Sequence, residues 1–423
     1  MHAEALNINV DEVIDAGPLK LSEKLTLAMW AFVAIGVLAF IISLFTFPPS
    51  HVWGVFHVNL FFWTGLAVGG VAITAILQIV RAQWAMPVRR LAEANVAFLP
   101  WAFLFFLMTW FGKEHIFPWA VGPMPGREWW MQPNFVYLRF IVLLAILFFV
   151  MFAFIRLSLR GDVGMVQAKD KSGWSGWWHN YLGAGWGNTE AEVLNLQRRM
   201  SVLAPVVIIL YVLIYSLYTF EMLMSMDTIW YANMFGGFIF VGNIYLAWAV
   251  LSITTVLFIY TRPQFAKVVT TQQLWDLGKL TFGFSMLWGY LFFSHFMVQW
   301  YGNLPEETQW LILRTREYPW KGLAYLTFSM CFVIPWVMLL GRDMKKTPWA
   351  FATVCCIPFF GVWLEKYMLI MPQLSPEMIP FGILEVCFFL GFLGVYVLSV
   401  AGFLKRFPFV PVSHPLTRGS NEW

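Results

Sequence analysis

A small set of ionisable residues stands in or at the edges of long apolar runs: His57, Arg139, Glu221, Asp276, Lys279, His295, Glu365, Lys366 and Glu385. Inside a membrane span such a side chain is expensive, about 2.5 to 3.5 kcal/mol at the centre on insertion scales, so each one points to function by default. Glu221, in FEMLMSMD, Glu365, in LEKYMLIMP, and Glu385 are short acids that cannot easily reach water. An acid held in that setting is able to exchange protons near neutral pH, which makes the three candidate members of a proton relay. His57, Arg139, His295 and Lys366 could contact a polar ligand or build a polar cluster. Asp276 and Lys279, one turn apart and able to pair, form a candidate site of proton uptake at the opposite membrane face.

Plainer roles compete. His57 and His295 could be interfacial histidines bonded to backbone, and Arg139 could extend its stem to the headgroups. As a facing pair the two histidines could also ligate a b-type haem, but the other histidines supply no second pair. The cysteines Cys331, Cys355, Cys356 and Cys387 all lie in apolar runs, with no CxxC and no CxxCH. The expectation is a chain that itself holds no metal and no redox cofactor.

Glu365 and Lys366 are adjacent, and neighbours on a helix point about 100° apart. The sequence therefore predicts separate surroundings for them. Lys366, with its long stem, is expected to snorkel to the headgroups near the Pro372 exit. Glu365 shares its face with Gly361 and Leu369, and the missing side chain at Gly361 would let a neighbouring helix approach. That face is expected to turn inward, with Glu365 as the counterpart of Glu221.

The elements that must position these residues are membrane helices. The 423 residues are 60% hydrophobic and only 12% charged, where a soluble protein carries about 25% charge. Runs long enough to cross a bilayer core of ~30 Å fall at 25–46, 53–80, 95–111, 134–157, 201–223, 229–260, 273–299, 319–340, 348–370 and 378–403. The expected fold is an all-α integral membrane protein with a tail at 1–24, a ten-helix membrane domain at 25–403 and a tail at 404–423. Most of the 27 Lys and Arg residues lie in the tails and in the loops after spans 2, 4, 6 and 8. By the positive-inside rule both termini are cytoplasmic. The net charge of +4 thus belongs to basic loops rather than to nucleic-acid binding. The acidic, polar N-terminus lacks the basic region of a signal peptide, so the first run is expected to be a retained span. A long cytoplasmic loop, 158–200, is rich in Gly and Trp, with Thr189 and Glu192 in a capping-box pattern.

Span 3 ends MTWFG and span 7 ends VQWYG, each followed by a polar loop with acids and aromatics. Span 5 ends FEMLMSMD and span 9 carries LEKYMLIMP, so both place a Glu shortly before a Met-rich exit. These pairs suggest two related four-helix bundles, spans 2–5 and 6–9, flanked by spans 1 and 10.

With that architecture and those stretches the chain resembles the NrfD-like family of quinone-interacting membrane subunits, the polysulfide reductase type. The likeness is greatest to the smaller NrfD-like subunit of bacterial alternative complex III. The resemblance implies a multi-pass subunit of the bacterial plasma membrane, in a respiratory quinol:cytochrome c (or other high-potential acceptor) oxidoreductase. It implies a second NrfD-like membrane subunit as partner, with lipids around both. Extracytoplasmic subunits would carry the iron–sulfur clusters and c-type haems. Quinol or menaquinol is the implied ligand of the complex, and His57, Arg139, His295 and Lys366 become candidate quinone contacts. No compact Asp/His/Arg set stands out in spans 2–5, so the expected role is scaffold and proton route rather than catalysis by this chain alone. The first rival is a subunit that binds quinol itself. The second is a secondary transporter, against which stand the like orientation of the two halves and the lack of paired Gly/Pro-broken spans.

Overall fold

The computed structural model describes residues 10–15, 17–19, 22–168, 177–187 and 190–414. Among them every regular element is helical. Nine segments among the described residues are long and apolar enough to cross a membrane. In chain order, with one further long helix, we number them α1 (Glu23–Thr46), α2 (Pro49–Ile79), α3 (Gln83–Ile116), α4 (Pro133–Ala168), α5 (Glu190–Met222), α6 (Phe235–Thr261), α7 (Thr271–Gly302), α8 (Trp320–Leu340), α9 (Pro348–Leu374) and α10 (Ile383–Leu404). The expected seventh span lies in α7, a 32-residue helix outside the nine because Gly283, Ser285, Trp288, Gly289, Tyr290, Ser294 and His295 dilute the hydropathy of its apolar stretch.

Several boundaries differ from expectation for local reasons. The loop expected at 158–200 is largely helical where it is described: α4 runs to Ala168, α5 begins at Glu190 and a short helix covers Trp177–Gly183. Thr189 of the expected capping box lies outside the described residues. α6 starts at Phe235 rather than 229 because the Asp227 carboxylate accepts the backbone N–H groups of Ile229 (3.0 Å) and Trp230 (3.1 Å), a turn that competes with helix. α3 is 3₁₀ over Ala94–Phe98, just where Pro100 has no N–H to return to the preceding turn.

α2 and α6 pack on each other at the centre, and both also touch α5 and α9. α3 and α5 cover α2, α4 packs on α5, and α7 and α8 close around α6 and α9. α2 is apolar all round and almost wholly buried, as a central helix must be. α1 packs chiefly on α10. A Cβ on Gly36 would lie 2.5 Å from the Gly391 Cα, so the two backbones touch where neither residue has a side chain, as small residues allow between membrane helices. Gly391→Leu should therefore push α1 away, lowering stability by about 1 to 3 kcal/mol as overpacking does, read from unfolding in mixed SDS micelles. An unchanged midpoint would mean that α1 is not seated on α10.

Two prolines leave carbonyls that side chains repair. Pro335 cannot bond back to Cys331, helix α8 widens into a π-turn over Ser329–Val333, and the Tyr245 hydroxyl donates to the Cys331 carbonyl at 3.0 Å. Pro372 inside α9 likewise leaves the Met368 carbonyl without its helical partner, and Arg314 Nε donates to it at 2.9 Å. In lipid, irregular backbone survives only with such partners.

Candidate functional site

The α5–α6 connection and the C-terminal end of α9 lie at the distal end of the molecule, opposite the end where α1 begins and α10 finishes. Glu221, in the last turn of α5, is buried there beside Arg139 of α4, with which it forms an ion pair. Trp130 Nε1 donates to Glu221 Oε1 at 2.8 Å, and the Arg139 guanidinium lies 4.1 Å from the Trp130 ring centroid. Arg139 is thus tied to a partner inside the protein rather than extended to headgroups. His57, fully buried on α2, donates from Nε2 to the carbonyl of Met222, the next residue after Glu221, at 2.6 Å. Its Nδ1 meets no partner among the described residues. Ser225 donates to the Glu221 carbonyl at 2.5 Å and receives Trp119 Nε1 at 2.8 Å. A compact His/Arg/Glu set therefore gathers in the first half of the chain, where none is evident in the sequence. α2, α4 and α5 bring it together, and only their packing does.

In the second half Glu365 faces the interior. Trp288 Nε1 of α7 donates to Glu365 Oε2 at 2.7 Å, and a Cβ on Gly361 would sit 2.9 Å from Met330 Cβ and 3.0 Å from Cys331 Sγ, so α8 approaches α9 closely one turn away. The expected separation of Glu365 from Lys366 is wrong. Lys366 is fully buried and its Nζ donates to Glu365 Oε1 at 2.5 Å. Two physical reasons apply. α9 continues to Leu374, which keeps Lys366 more than two turns from its end. Trp363, one turn earlier on that face, donates to Asn59 of α2 at 3.2 Å, so the face is covered by protein. The four-carbon stem then curls back to the neighbouring carboxylate.

Beside Glu365 lies a cavity of about 90 Å³, lined by aromatic rings of α6, α7 and α8 and by Glu365, His295 and Arg314. His295 is 3.4 Å from Gln299 Nε2 and packs among Trp230, Phe235, Phe238 and Trp310. Arg314, from the short helix Pro305–Thr315, stacks 3.8 Å from the Trp310 centroid and donates to the carbonyls of Met368, Trp310 and Leu369. Burial pulls its guanidinium down to about 9, with Asp227 opposing, so it stays charged at neutral pH. His57 and His295 have no ring neighbour in common: His57 meets Phe61 and Phe117.

Glu385, buried in the first turn of α10, accepts from Gly382 N at 2.8 Å and pairs with His51 Nε2 at 2.7 Å. Asp276 and Lys279 form an ion pair at 2.5 Å near the start of α7, with Lys279 half exposed. His51 and Arg314 are the residues that the sequence analysis does not single out as functional. The signals were a buried acid at Glu385 that needs a donor, and a proline at 372 that orphans a carbonyl.

Among the described residues no group of three or more His, Cys, Asp and Glu side chains is placed to hold a metal ion. The chain matches no model of a known protein family and no curated protein sequence. The site itself therefore has to carry the functional reading.

Proposed function

We propose that this chain is a non-haem integral membrane subunit of a respiratory quinol-oxidising complex, and that its distal acids carry protons. The observation that supports this most is the like treatment of two acids in the two halves. Glu221, in the last turn of α5, and Glu365, in the C-terminal half of α9, are both buried, each held by one indole N–H and one cation. A buried carboxylate kept beside a fixed cation and donor is retained at a cost that packing alone does not require. The helix pairings α2–α5 and α6–α9 also suit two related four-helix bundles with α1 and α10 outside. On this reading both termini are cytoplasmic, the distal end faces outward, and the partners are a second NrfD-like subunit and extracytoplasmic iron–sulfur and multihaem cytochrome subunits. The halves are not identical: Gly112 of MTWFG packs against the Trp53 ring, while Gly302 of VQWYG has open space.

The test is Glu221→Gln and Glu365→Gln in the assembled complex, which keep shape and remove titration. Quinol oxidation coupled to proton release in vesicles should fall roughly tenfold in each, about 1.4 kcal/mol. Lys366→Gln should slow turnover to a similar degree, because it would leave Glu365 without its cation. Full turnover and unchanged proton release in both glutamate variants would remove the relay role, and copurification of the chain without cytochrome partners would remove the respiratory assignment.

The cavity beside Glu365 favours a second reading, in which this chain binds quinol itself. Its aromatic walls suit a flat ring, and Glu365, His295 and Arg314 lie at its edge. A chase of bound quinone from the complex, blocked by Trp in place of Ala324 on the cavity wall, would support it.

A further inference from the structure

Away from the acids and the cavity, cations converge on one indole ring at the proximal end. The short helix Arg342–Lys346, between α8 and α9, packs on α7. It brings the Arg342 guanidinium carbon to 4.7 Å and Lys346 Nζ to 5.2 Å from the Trp275 centroid, and Lys279, one turn along α7, adds its Nζ at 4.5 Å. Lys345 lies against the same helix: a Cβ on Gly278 would meet its Cγ at 2.5 Å, and its Nζ stands 5.5 Å from the Phe282 centroid. The charges around Trp275 fall within about one Debye length of one another, so they repel. Counter-charge is short. Asp276 pairs with Lys279 at 2.5 Å, and among the described residues Arg342, Lys345 and Lys346 form no ion pair with a carboxylate. Desolvation and then the Lys279 charge pull the Lys345 ammonium below the ordinary lysine value, as crowding requires. Basic loop residues that only orient a chain have no need to meet, because long stems would spread them through water.

The surface that continues from the cluster is apolar. Beyond the exposed Lys279, the face of α7 carries exposed Met286, Tyr290 and Phe293 at helical spacing, and the end of α8, which packs on α7, adds exposed Val337 and Leu340. We propose that Lys279, Arg342, Lys345 and Lys346 bind the phosphate of an anionic phospholipid, with an acyl chain along Met286, Tyr290 and Phe293. Charge complementarity selects the occupant. A zwitterionic lipid suits the stripe but not the excess of cations, and free phosphate suits the cations but not the stripe; basic pockets between membrane helices take anionic headgroups for this reason. The site rests on its own geometry and not on the respiratory reading.

The experiment titrates the full chain, delipidated in detergent, with dioleoyl phosphatidylglycerol and separately with dioleoyl phosphatidylcholine, and native mass spectrometry reads the affinity of the first lipid bound. The acyl chains are identical, so the ratio isolates headgroup charge. Phosphatidylglycerol should bind at least roughly tenfold more tightly. The triple change Arg342→Gln, Lys345→Gln, Lys346→Gln should abolish the preference. Arg198→Gln, Arg199→Gln, Lys405→Gln, which removes the same charge from exposed positions at the same end, should keep it. Trp275→Leu retains every charge and should weaken phosphatidylglycerol about threefold, through the lost cation–π contacts. Should the first triple variant fail to fold, Arg342→Gln and Lys346→Gln singly carry the test, at about threefold each. Inorganic phosphate in large excess should not displace the lipid. Equal affinity for the two lipids would reduce the site to an apolar surface, equal loss in the two triple variants would reduce it to diffuse charge, and displacement by phosphate would make it a site for the free anion; each result overturns the proposal. None of them bears on whether cytochrome partners copurify, so the respiratory reading stands or falls separately.

Discussion

Replacing Arg90 by Gln should destabilise the protein by about 3 to 5 kcal/mol, the loss seen when one member of a buried ion pair is removed. At the proximal end Arg90 is fully buried and bridges Glu93 of its own segment and Asp162 of α4. Glu93 has further donors in Arg89 Nε at 3.1 Å and Ser158 Oγ at 2.9 Å, and Asp162 receives Ser413 N at 2.8 Å. Without Arg90 the two buried carboxylates lose the cation between them. Arg90→Lys should recover only part of the loss, because a point charge cannot serve two carboxylates as a planar fork does. The triple change Arg90→Met, Glu93→Leu, Asp162→Leu removes all three charges and should cost less than Arg90→Gln alone, since paired charge and apolar packing nearly balance. Reversible unfolding in mixed micelles measures all three. A loss below about 1 kcal/mol for Arg90→Gln would show that the network is hydrated rather than buried.

The same network anchors the C-terminal segment. Phe407, Val410, Val412 and Ser413 are buried, His179 Nε2 donates to the Arg406 carbonyl at 2.7 Å, and a Cβ on Gly161 would meet Ser413 Oγ at 2.5 Å. Arg90→Gln should therefore also expose this segment to protease, a second readout from the same variant.

The pairs of Arg89 and Arg90 with Glu93 are local, but the closure of the network on Asp162 is not visible along the chain. Arg89 and Arg90 serve the sequence reading only as loop charges that set orientation, and Asp162 lies 72 residues from Arg90. Spans are legible because a membrane helix is a local statement: about twenty apolar residues must follow one another. Ion pairs between helices are not local, and a single sequence holds no record of which faces meet. Hence Glu221, Glu365 and Glu385 stand out as buried acids, while Arg139, Lys366 and His51 become their partners only in three dimensions. The mistaken separation of Glu365 and Lys366 has the same origin. Residue directions on one helix are readable, but whether a lysine's face meets lipid or α2 is decided by packing. Breaks in helices fall between these cases. Pro335 and Pro372 announce that a carbonyl will need a donor, yet Tyr245 and Arg314 lie 86 and 54 residues from the carbonyls they serve.

Arg314 and Pro372 should be strongly coupled. Arg314→Met removes the donors to Met368 O at 2.9 Å and Leu369 O at 3.1 Å. Each buried carbonyl left without a donor costs about 1 to 3 kcal/mol, so the variant should lose roughly 2 to 4 kcal/mol. Pro372→Ala restores an N–H where the helix lacks one, and removes the ring that crowds the residue four before it. In that background Met368 O finds its partner within α9, and Arg314→Met should cost less by about 1 to 2 kcal/mol, a coupling within the range for residues sharing one bond network. The alternative is that Arg314 stabilises the protein mainly by stacking 3.8 Å from the Trp310 centroid. Stacking is indifferent to residue 372, so the two changes would then add. Additive losses across the four proteins of the cycle would exclude the carbonyl repair, and with it the view that Arg314 holds the end of the helix on which Glu365 and the cavity wall are built.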